Sequence, residues 1–376
     1  MFPKNIISSF CLLLFLLILS CKKEDPDTSV EPVWISDYIF TQNNHIPPIV
    51  FDGQIVLDDN DPCELLSFNQ TNGSYISKLS NTFSIPIYNN QPYVFENFIS
   101  FVDPYDFIIY CVDLATDNVK ELQLDNSLHV SFEFRGIDQF ACFLYDDRIM
   151  QIDITTGDTS TAVDLGILFP DDINGINTIS PISMQKNAQN EILIYAVVLT
   201  PESKYVRFNT STDMVENILN LSVLGDLPSL VGYTNVSGDN FYFQSANKMY
   251  CMDIGSGNIK WQTDYETEPF ALEENGKTFI IEEDGNRLKA LNPETGEDIW
   301  ISNYDLSFFG IHAPVYHDGK LYISNRDLVS IDAQTGDVGW EYEVLSDDQF
   351  ESQLTIDPAN NCLYITTGMH LMKFDL

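Results

Sequence analysis

Basic side chains are scarce in this chain of 376 residues. Its 18 Lys and Arg residues stand against 56 Asp and Glu, which gives a formal net charge of −38 at pH 7. A surface of this sign repels phosphate backbones, so we expect no nucleic-acid partner. Asp58 to Asp61 and Glu64 offer oxygen ligands for Ca²⁺ but lack the spacing and the glycine of an EF-hand loop. We therefore expect no metal site, with Ca²⁺ left as an unsupported alternative.

Cysteine and histidine are also scarce. Five cysteines follow Cys21, and they include no CxxC and no adjacent pair. An odd number cannot complete a disulfide framework, and Cys111 and Cys251 share a small-residue position of the repeat described below, so we expect buried packing. The five histidines show no HExxH spacing, and no GxSxG elbow occurs. Paired carboxylates for glycoside cleavage stay open, because 56 acidic residues offer too many pairs to choose from.

Long apolar runs are missing as well. Phe10–Leu19 is well short of the about 20 residues that a membrane-spanning helix needs, and Lys4 precedes it, so residues 1–20 are predicted to be a lipoprotein signal peptide. The run ends in ILSC, which resembles the lipobox of bacterial lipoproteins and implies a lipid on Cys21. The alternative is an ordinary secretory signal with a chance cysteine.

Residues 21–31 are polar and aperiodic, which predicts a flexible tether. The tether begins CKKED, which is similar to the export signal of lipoproteins in Bacteroidota. That similarity implies an outer-membrane lipoprotein on the cell surface, and a leash that faces the periplasm is the alternative.

A repeat organises residues 32–376. Leu288–Trp300, Leu328–Trp340 and Met249–Trp261 each contain a strand, a turn with a glycine suited to φ > 0, and a second strand that ends in tryptophan. Apolar segments before them are broken by two-residue hairpins such as Asp52-Gly53 and Asn275-Gly276. One unit is therefore four antiparallel strands.

The turn that follows the third strand of each unit opens with Asp or Asn, and these positions recur along the whole chain. They are Asn69, Asp113, Asp153, Asn209, Asp253, Asn292, Asp332 and Asp375. Most steps between them are close to the 40–45 residues of a β-propeller blade. Where the turn glycine is missing, Asp117 and Asp213 take its place, and both are predicted to have φ > 0.

Two incomplete units at the ends of the chain complement each other. The segment around Trp34 has a second strand but no turn before it, whereas Leu371–Leu376 has only the strand before the turn. We expect the N-terminal strand to close the last blade and leave no open sheet edge. The predicted fold is all-β: an eight-bladed propeller of four-stranded antiparallel blades over 32–376.

The motif A/S/C-x-D/N-x-x-T/S-G-x-x-x-W, found at Ala290–Trp300, Ser330–Trp340 and Cys251–Trp261, resembles the tryptophan-docking motif of the PQQ-like (quinoprotein-type) β-propeller repeat family. BamB-type lipoproteins, scaffolds of outer-membrane barrel assembly, are similar in architecture and anchoring. The resemblance implies that the tryptophan of this motif packs between neighbouring blades and that the turn with the glycine caps the hairpin. The docking residues are Trp34, Trp261, Trp300, Trp340, Gly257, Gly296 and Gly336.

The same resemblance does not extend to a cofactor. Quinoprotein dehydrogenases of this family carry adjacent cysteines near the quinone and a further stacking tryptophan. This chain has no adjacent cysteines, and blade docking accounts for all four tryptophans. We therefore expect no bound PQQ and no other cofactor.

Binding residues are expected on loops that join one blade to the next. An insertion at Phe169–Ile179 contributes Phe169, Asp171 and Asp172, and a second loop contributes Phe308, Phe309 and His312. We expect a non-catalytic, lipid-anchored scaffold that binds envelope proteins or glycans as a monomer or as a subunit of a complex. The alternative is a carbohydrate-binding propeller or a propeller enzyme that acts on polysaccharide at the cell surface.

Overall fold

The computed structural model describes most of the chain, with gaps. The described residues are 29–40, 46–60, 63–82, 92–103, 108–124, 134–145, 148–169, 178–179, 182–199, 204–221, 231–245, 248–264, 266–267, 270–282, 286–306, 313–324, 326–344, 349–350 and 352–376. The predicted signal peptide, Cys21 and the tether up to 28 lie outside them. Within these ranges no helix is long and apolar enough to cross a membrane.

The first four blades follow the chain from the inner to the outer strand. Blade 1 is β2 Ile49–Phe51, β3 Gln54–Asn60, β4 Cys63–Asn69 and β5 Tyr75–Thr82; blade 2 is β6 Tyr93–Phe95, β7 Phe98–Asp103, β8 Ile108–Asp113 and β9 Asn118–Gln123; blade 3 is β10 Arg135–Ile137, β11 Phe140–Tyr145, β12 Arg148–Asp153 and β13 Asp158–Asp164; blade 4 is β14 Thr178–Ile179, β15 Ser183–Lys186, β16 Ile192–Leu199, β17 Lys204–Asn209 and β18 Met214–Asn220.

The second four blades repeat the order and end in the ring closure. Blade 5 is β19 Val231–Ser237, β20 Asn240–Ser245, β21 Lys248–Asp253 and β22 Ile259–Gln262; blade 6 is β23 Leu272–Glu274, β24 Lys277–Glu282, β25 Arg287–Leu291 and β26 Asp298–Ile301; blade 7 is β27 Val315–His317, β28 Lys320–Ser324, β29 Asp327–Asp332 and β30 Val338–Glu343; blade 8 is β31 Thr355–Asp357, β32 Cys362–Thr366, β33 Leu371–Asp375 and β1 Trp34–Ile35. All pairings within the blades are antiparallel. The predicted eight-bladed propeller is confirmed.

The core of the molecule lies between the blades. Eight clusters of buried apolar side chains each join one blade to the next, and the cluster around Phe68 and Tyr364 joins blade 1 to blade 8. Successive strand residues point to opposite faces of a sheet. In β20, Phe241 and Phe243 therefore pack towards blade 4, whereas Tyr242 packs towards blade 6. Each blade needs two apolar faces, which explains the high apolar content of its central strands.

The N-terminal strand closes the ring as predicted. Trp34 pairs with Lys373 and Ile35 with Met372, so β1 becomes the outer strand of blade 8. The chain just before it contacts blade 7, where Val30 N–H donates to the carbonyl of Glu341 at 3.2 Å. Residues 29–35 are thereby fixed to the outer edges of two blades.

The turn that follows each third strand has one recurring geometry. In blade 6, Asn292 Oδ1 accepts from the amides of Glu294 and Thr295 at 2.8 and 3.1 Å, and Gly296 N–H donates to the Asn292 carbonyl at 2.8 Å. This Asx turn explains why Asp or Asn opens the turn. The residue four places later needs φ > 0, and the prediction for Asp117 and Asp213 is confirmed by φ values of 56° and 54°.

The 56-residue step before blade 4 contains two added elements. A short helix, α1 (Leu165–Leu168), follows β13 and is capped by Asp164, whose carboxylate accepts from Ile167 N–H at 3.0 Å. Strand β14 then pairs with the far end of β16, opposite Val198 and Leu199. Residues 170–177 between them lie outside the described part of the chain.

Candidate functional site

The outer rim of each seam between blades is where the tryptophan motif acts. In the seam from blade 5 to blade 6, the Trp261 ring lies on Gly296, and a Cβ atom at that glycine would lie 2.7 Å from the ring. Trp261 Nε1 donates to the carbonyl of Pro293 at 2.8 Å. Trp300 does the same one blade later, over Gly336 and onto the carbonyl of Ala333 at 3.2 Å. The turn glycine therefore serves both φ > 0 and close approach.

The other two tryptophans lie on the seams of blade 8. Trp34 packs on Gly73 of blade 1 and completes the ring at its closing seam. Trp340 of blade 7 stacks on Phe374 of blade 8 with 6.2 Å between ring centroids and 16° between planes. Because β1 arrives from the N-terminus, blade 8 has no turn from its third to its fourth strand, so an aromatic ring of β33 takes the place of the glycine.

Two further seams use different side chains in the same place. Leu219 of blade 4 packs on Gly257, and Arg207 Nη1 donates to the Ile254 carbonyl at 3.3 Å. Lys120 of blade 2 lies on Gly157, where a Cβ atom would be 3.0 Å from Lys120 Cδ. The Lys120 ammonium donates to the carbonyl of Thr156. The sequence motif missed both residues, since neither is a tryptophan.

In the last two seams the strand position that carries tryptophan elsewhere carries serine. Cross-strand register puts Ser77 opposite Ser67 in blade 1 and Ser160 opposite Gln151 in blade 3, as Trp300 stands opposite Ala290. The receiving turns are those of blades 2 and 4, which have Asp117 and Asp213 instead of glycine. Asp tolerates φ > 0 but carries a Cβ. Glycine is thus found where a large side chain covers the turn.

A cavity of about 280 Å³ lies at the seam between blades 2 and 3. Its apolar lining comes from both blades, and Lys120 and Glu121 stand at its exposed side. The lining residues are Ile109, Cys111, Lys120, Glu121, Leu122, Ile152 and Gly157. It therefore occupies the place where other seams hold an indole ring.

Of the loop residues predicted to bind partners, the structure describes Phe169. Phe169, predicted as part of a binding loop, is 5% exposed and belongs to the core between blades 3 and 4, where it is not accessible to a partner. The ring follows α1 and covers that core, and the Lys204 ammonium lies 4.7 Å from its centroid. Asp171 and Asp172 lie outside the described residues, as do Phe308, Phe309 and His312.

Exposed apolar side chains occur on the N-terminal segment and on the outer strand of blade 1, which this segment contacts. Tyr38 stacks on Tyr75 with 5.2 Å between centroids, which joins the segment to the outer strand of that blade. We call the surrounding exposed residues the N-terminal rim patch. Its members are Val33, Ile35, Ile39, Tyr75 and Ile76, each between 41% and 62% exposed. The two consecutive apolar triplets VWI and YIF are the sequence signal for the exposed residues of the N-terminal segment.

A carboxylate pair lies on the two outer strands of blade 7. Tyr304 OH lies 2.8 Å from Glu341 Oε1 and 3.3 Å from Asp327 Oδ2, and therefore bridges the two acids. Burial and the neighbouring Glu341 carboxylate raise the pKa of Asp327. Asp327 Oδ1 is buried without a hydrogen-bond partner among the described residues. The pair lies away from the inner strands that surround the ring centre.

The remaining candidates for chemistry are potential metal ligands and cysteine thiols. Among the described residues, no three His, Cys, Asp or Glu side chains are grouped to hold a metal ion. Cys111, Cys142, Cys251 and Cys362 are free thiols in buried positions, as predicted for the two of the repeat. Burial raises the pKa of the Cys251 thiol to about 12, which disfavours a reactive thiolate.

Comparison with known proteins agrees with this architecture. Residues 284–368, from blade 6 to blade 8, match the family model described as "Outer membrane protein assembly factor BamB". No curated protein matches the chain.

Three solved structures illustrate the range of proteins with this fold. BamB from Moraxella catarrhalis is 14% identical with a TM-score of 0.59, over 92% of this chain and 99% of that one. Sqt1 from Saccharomyces cerevisiae is 10% identical with a TM-score of 0.68, over 93% and 99%. The quinohemoprotein alcohol dehydrogenase ADHIIG from Pseudomonas putida HK5 is 9% identical with a TM-score of 0.65, over 92% and 76%.

At these identities the structural likeness shows the fold and leaves the activity undecided, since one of the three is an enzyme. The family match is more specific, and it covers two of the three best-preserved copies of the motif, Ala290–Trp300 and Ser330–Trp340. The chain is an eight-bladed β-propeller whose residues 284–368 match the BamB family model.

Proposed function

We propose that the protein is a non-catalytic, lipid-anchored scaffold that binds other proteins at the bacterial cell envelope. The observation that carries this proposal is the match of residues 284–368 to the family of an outer-membrane assembly factor. That family's description names an assembly role. The tether would place the propeller at the outer membrane through a lipid on Cys21.

The N-terminal rim patch supports a binding role. Exposed apolar side chains that lie together mark surfaces where proteins associate. The patch includes β1 and its neighbours, which directly follow the tether, so a membrane-anchored molecule would hold the patch close to other envelope proteins. The residues between Cys21 and Ser29 can span at most roughly 30 Å, even fully extended.

The placement of the tryptophans supports a function without PQQ. All four lie on seams between blades: Trp261 and Trp300 on turn glycines, Trp34 at the closing seam, and Trp340 on Phe374. None is left over from these contacts to stack on a quinone. We propose that the protein works without that cofactor.

Site-specific photocrosslinking in intact cells tests the scaffold. A photoreactive residue at position 39 should capture a defined envelope protein, because Ile39 is 62% exposed in the patch. Met214 in the outer strand of blade 4 is 61% exposed and is the matched control, expected to give no adduct. Equal adducts at both positions, or no protein adduct at position 39, would contradict the proposal.

Lipidation needs its own test. A clickable palmitate analogue should label the wild-type protein and leave Cys21→Ser unlabelled, with the variant lost from the membrane fraction. Labelling of Cys21→Ser would contradict the anchor.

A second function, a propeller enzyme that cleaves polysaccharide, would use the bridged pair Asp327 and Glu341. The raised pKa of Asp327 favours it, since a carboxyl that stays protonated can act as a general acid. The location of the pair on the outer strands of blade 7 disfavours it. Release of reducing sugar from envelope polysaccharide by wild-type protein, abolished in Glu341→Gln, would support the enzyme and overturn the scaffold.

A further inference from the structure

The seam between blades 2 and 3 differs from every other described seam. Its floor is Gly157, with φ 73° and no Cβ, as in the seams that receive an indole ring. The side chain over that floor is Lys120, which stands opposite Cys111 in the register where Trp261 stands opposite Cys251. A floor built for close approach is thus covered by a flexible side chain, and a cavity of about 280 Å³ lies beside it.

We propose that this seam is a docking site for a tryptophan or similar aromatic side chain of a partner protein. The proposal rests on the scaffold function above and names the chemistry of one contact. The occupant is indicated by the molecule itself, because the equivalent seams from blade 5 to 6, 6 to 7 and 8 to 1 each hold an indole ring on a turn glycine.

The walls of the cavity suit a flat apolar ring. Ile109 and Leu122 belong to blade 2 and Ile152 to blade 3. Leu122 is only partly buried, so an inserted ring would bury apolar area there and along the Lys120 stem. Ile109 and Ile152 are 0% exposed in the intact seam, which gives the slot a rigid base. Aromatic rings gain most from contact with such a preformed apolar surface.

Lys120 acts as a removable cover. Its side chain is exposed and its ammonium donates to the Thr156 carbonyl, so the four-carbon stem can swing off Gly157 without opening the core. The displaced ammonium could then lie on the face of the incoming ring, where a cation is attracted by the ring electrons.

The remaining seams do not offer this combination. From blade 4 to 5, Leu219 fills the slot and Arg207 occupies the Ile254 carbonyl. The turns of blades 2 and 4 carry Asp117 and Asp213, whose Cβ atoms stand where a ring would approach. Blade 8 presents Phe374 to Trp340. Among the described seams, a bare glycine without a bulky apolar cover occurs between blades 2 and 3.

The test uses N-acetyl-tryptophanamide as the probe and amide NMR of the full mature protein as the readout. We expect saturable shift changes centred on Gly157, Lys120 and Ile152, with a Kd on the order of 1 mM. Lys120→Trp should fill the slot from within and weaken probe binding by on the order of tenfold or more. Gly157→Asp keeps the turn that Asp117 and Asp213 form, adds a Cβ, and should have the same effect.

Trp300→Ala is the positive control, because it empties a slot over Gly336 that the probe should refill. Three results would overturn the docking site. The wild type could show no shift changes at a probe concentration 10 times the control's Kd, which corresponds to a difference in binding free energy of about 1.4 kcal/mol. The shift changes could centre on other residues, or they could persist in both Lys120→Trp and Gly157→Asp.

The crosslinked partner separates this proposal from the scaffold function. A partner captured at position 39 whose affinity is unchanged by Lys120→Trp would overturn the docking site and leave the scaffold standing. If the probe binds but no partner is captured at position 39, the scaffold function is contradicted, whereas the aromatic-binding slot between blades 2 and 3 is retained.

Discussion

Blades 5 to 8 and blades 1 to 4 share the same four antiparallel strands, to which blade 4 adds β14, but they close their outer rims differently. The first group supplies Trp261, Trp300, Trp340 and Trp34, whereas blades 1 to 4 place serine, lysine or leucine in the rim. Both groups have a full apolar core at each seam. Strand pairing and the inner core therefore suffice to build a blade, and the tryptophan closes the outer edge of the seam between two blades.

The contrast also separates two tasks of the turn glycine. Asp117 and Asp213 adopt φ near 55°, so the left-handed turn itself does not require glycine. Close approach does, because a Cβ at Gly336 would lie 2.6 Å from the Trp300 ring. Glycine is therefore required in a turn only where a large side chain of the neighbouring blade packs on that turn. Where no such side chain is present, aspartate can take the position.

Truncation at the rim should separate the two groups most strongly. Trp300→Ala removes a ring packed between blades and a hydrogen bond, and should lower the free energy of unfolding by roughly 3 kcal/mol. Lys120→Ala at the equivalent position should cost no more than about 0.5 kcal/mol, as for other exposed side chains. Urea unfolding of both variants gives the difference, and equal costs would break the comparison.

A reciprocal exchange at the turns isolates close approach from backbone conformation. Gly336→Asp introduces a residue that tolerates this φ, so its cost, roughly 2 kcal/mol, should come from the Trp300 contact. Asp117→Gly should change stability by about 0.5 kcal/mol or less. Thermal unfolding of the two variants is the measurement. A harmless Gly336→Asp would show that the glycine is there for φ alone.

The carboxylate pair of blade 7 is expected to destabilise the fold at neutral pH, although it lies in the group of blades whose rims are closed by tryptophan. Burial and Glu341 raise the pKa of Asp327, so its favourable contribution is present below the unfolded pKa of about 3.9 and is lost as pH rises through the folded pKa. Asp327→Asn should therefore raise the melting temperature at pH 7, with the gain shrinking towards pH 3. Asp337→Asn, which removes an exposed carboxylate in the turn between β29 and β30, is the control. A gain that does not depend on pH would contradict this explanation.

Much of the fold could be predicted from the sequence because the repeat is periodic and its turns have strict chemistry. The spacing of positions such as Asn292 and Asp332 predicted eight blades, and the φ values of Asp117 and Asp213 followed from turn geometry. Ring closure by β1 followed from two incomplete ends. These features depend on local backbone rules, which a single sequence states directly.

Features set by contacts between blades were harder to predict. Lys120 and Leu219 cover turn glycines, yet nothing in their own segments distinguishes them from ordinary strand residues. Phe169 was predicted as part of a binding loop because the 56-residue step marks an insertion there, but this residue follows α1 and packs into the core. The Tyr304 bridge joins residues from two blades, so no spacing along the chain indicates it.

Amide hydrogen exchange tests most directly whether rim closure distinguishes the two groups of blades. The outer strands β22, β26 and β30 should exchange more slowly than β5, β9 and β13, because tryptophan packing between blades opposes local opening. Slower exchange in the outer strands of blades 5 to 7 is the predicted result. Equal or faster exchange there would contradict the account, since the tryptophans would then add nothing to closure of the rim.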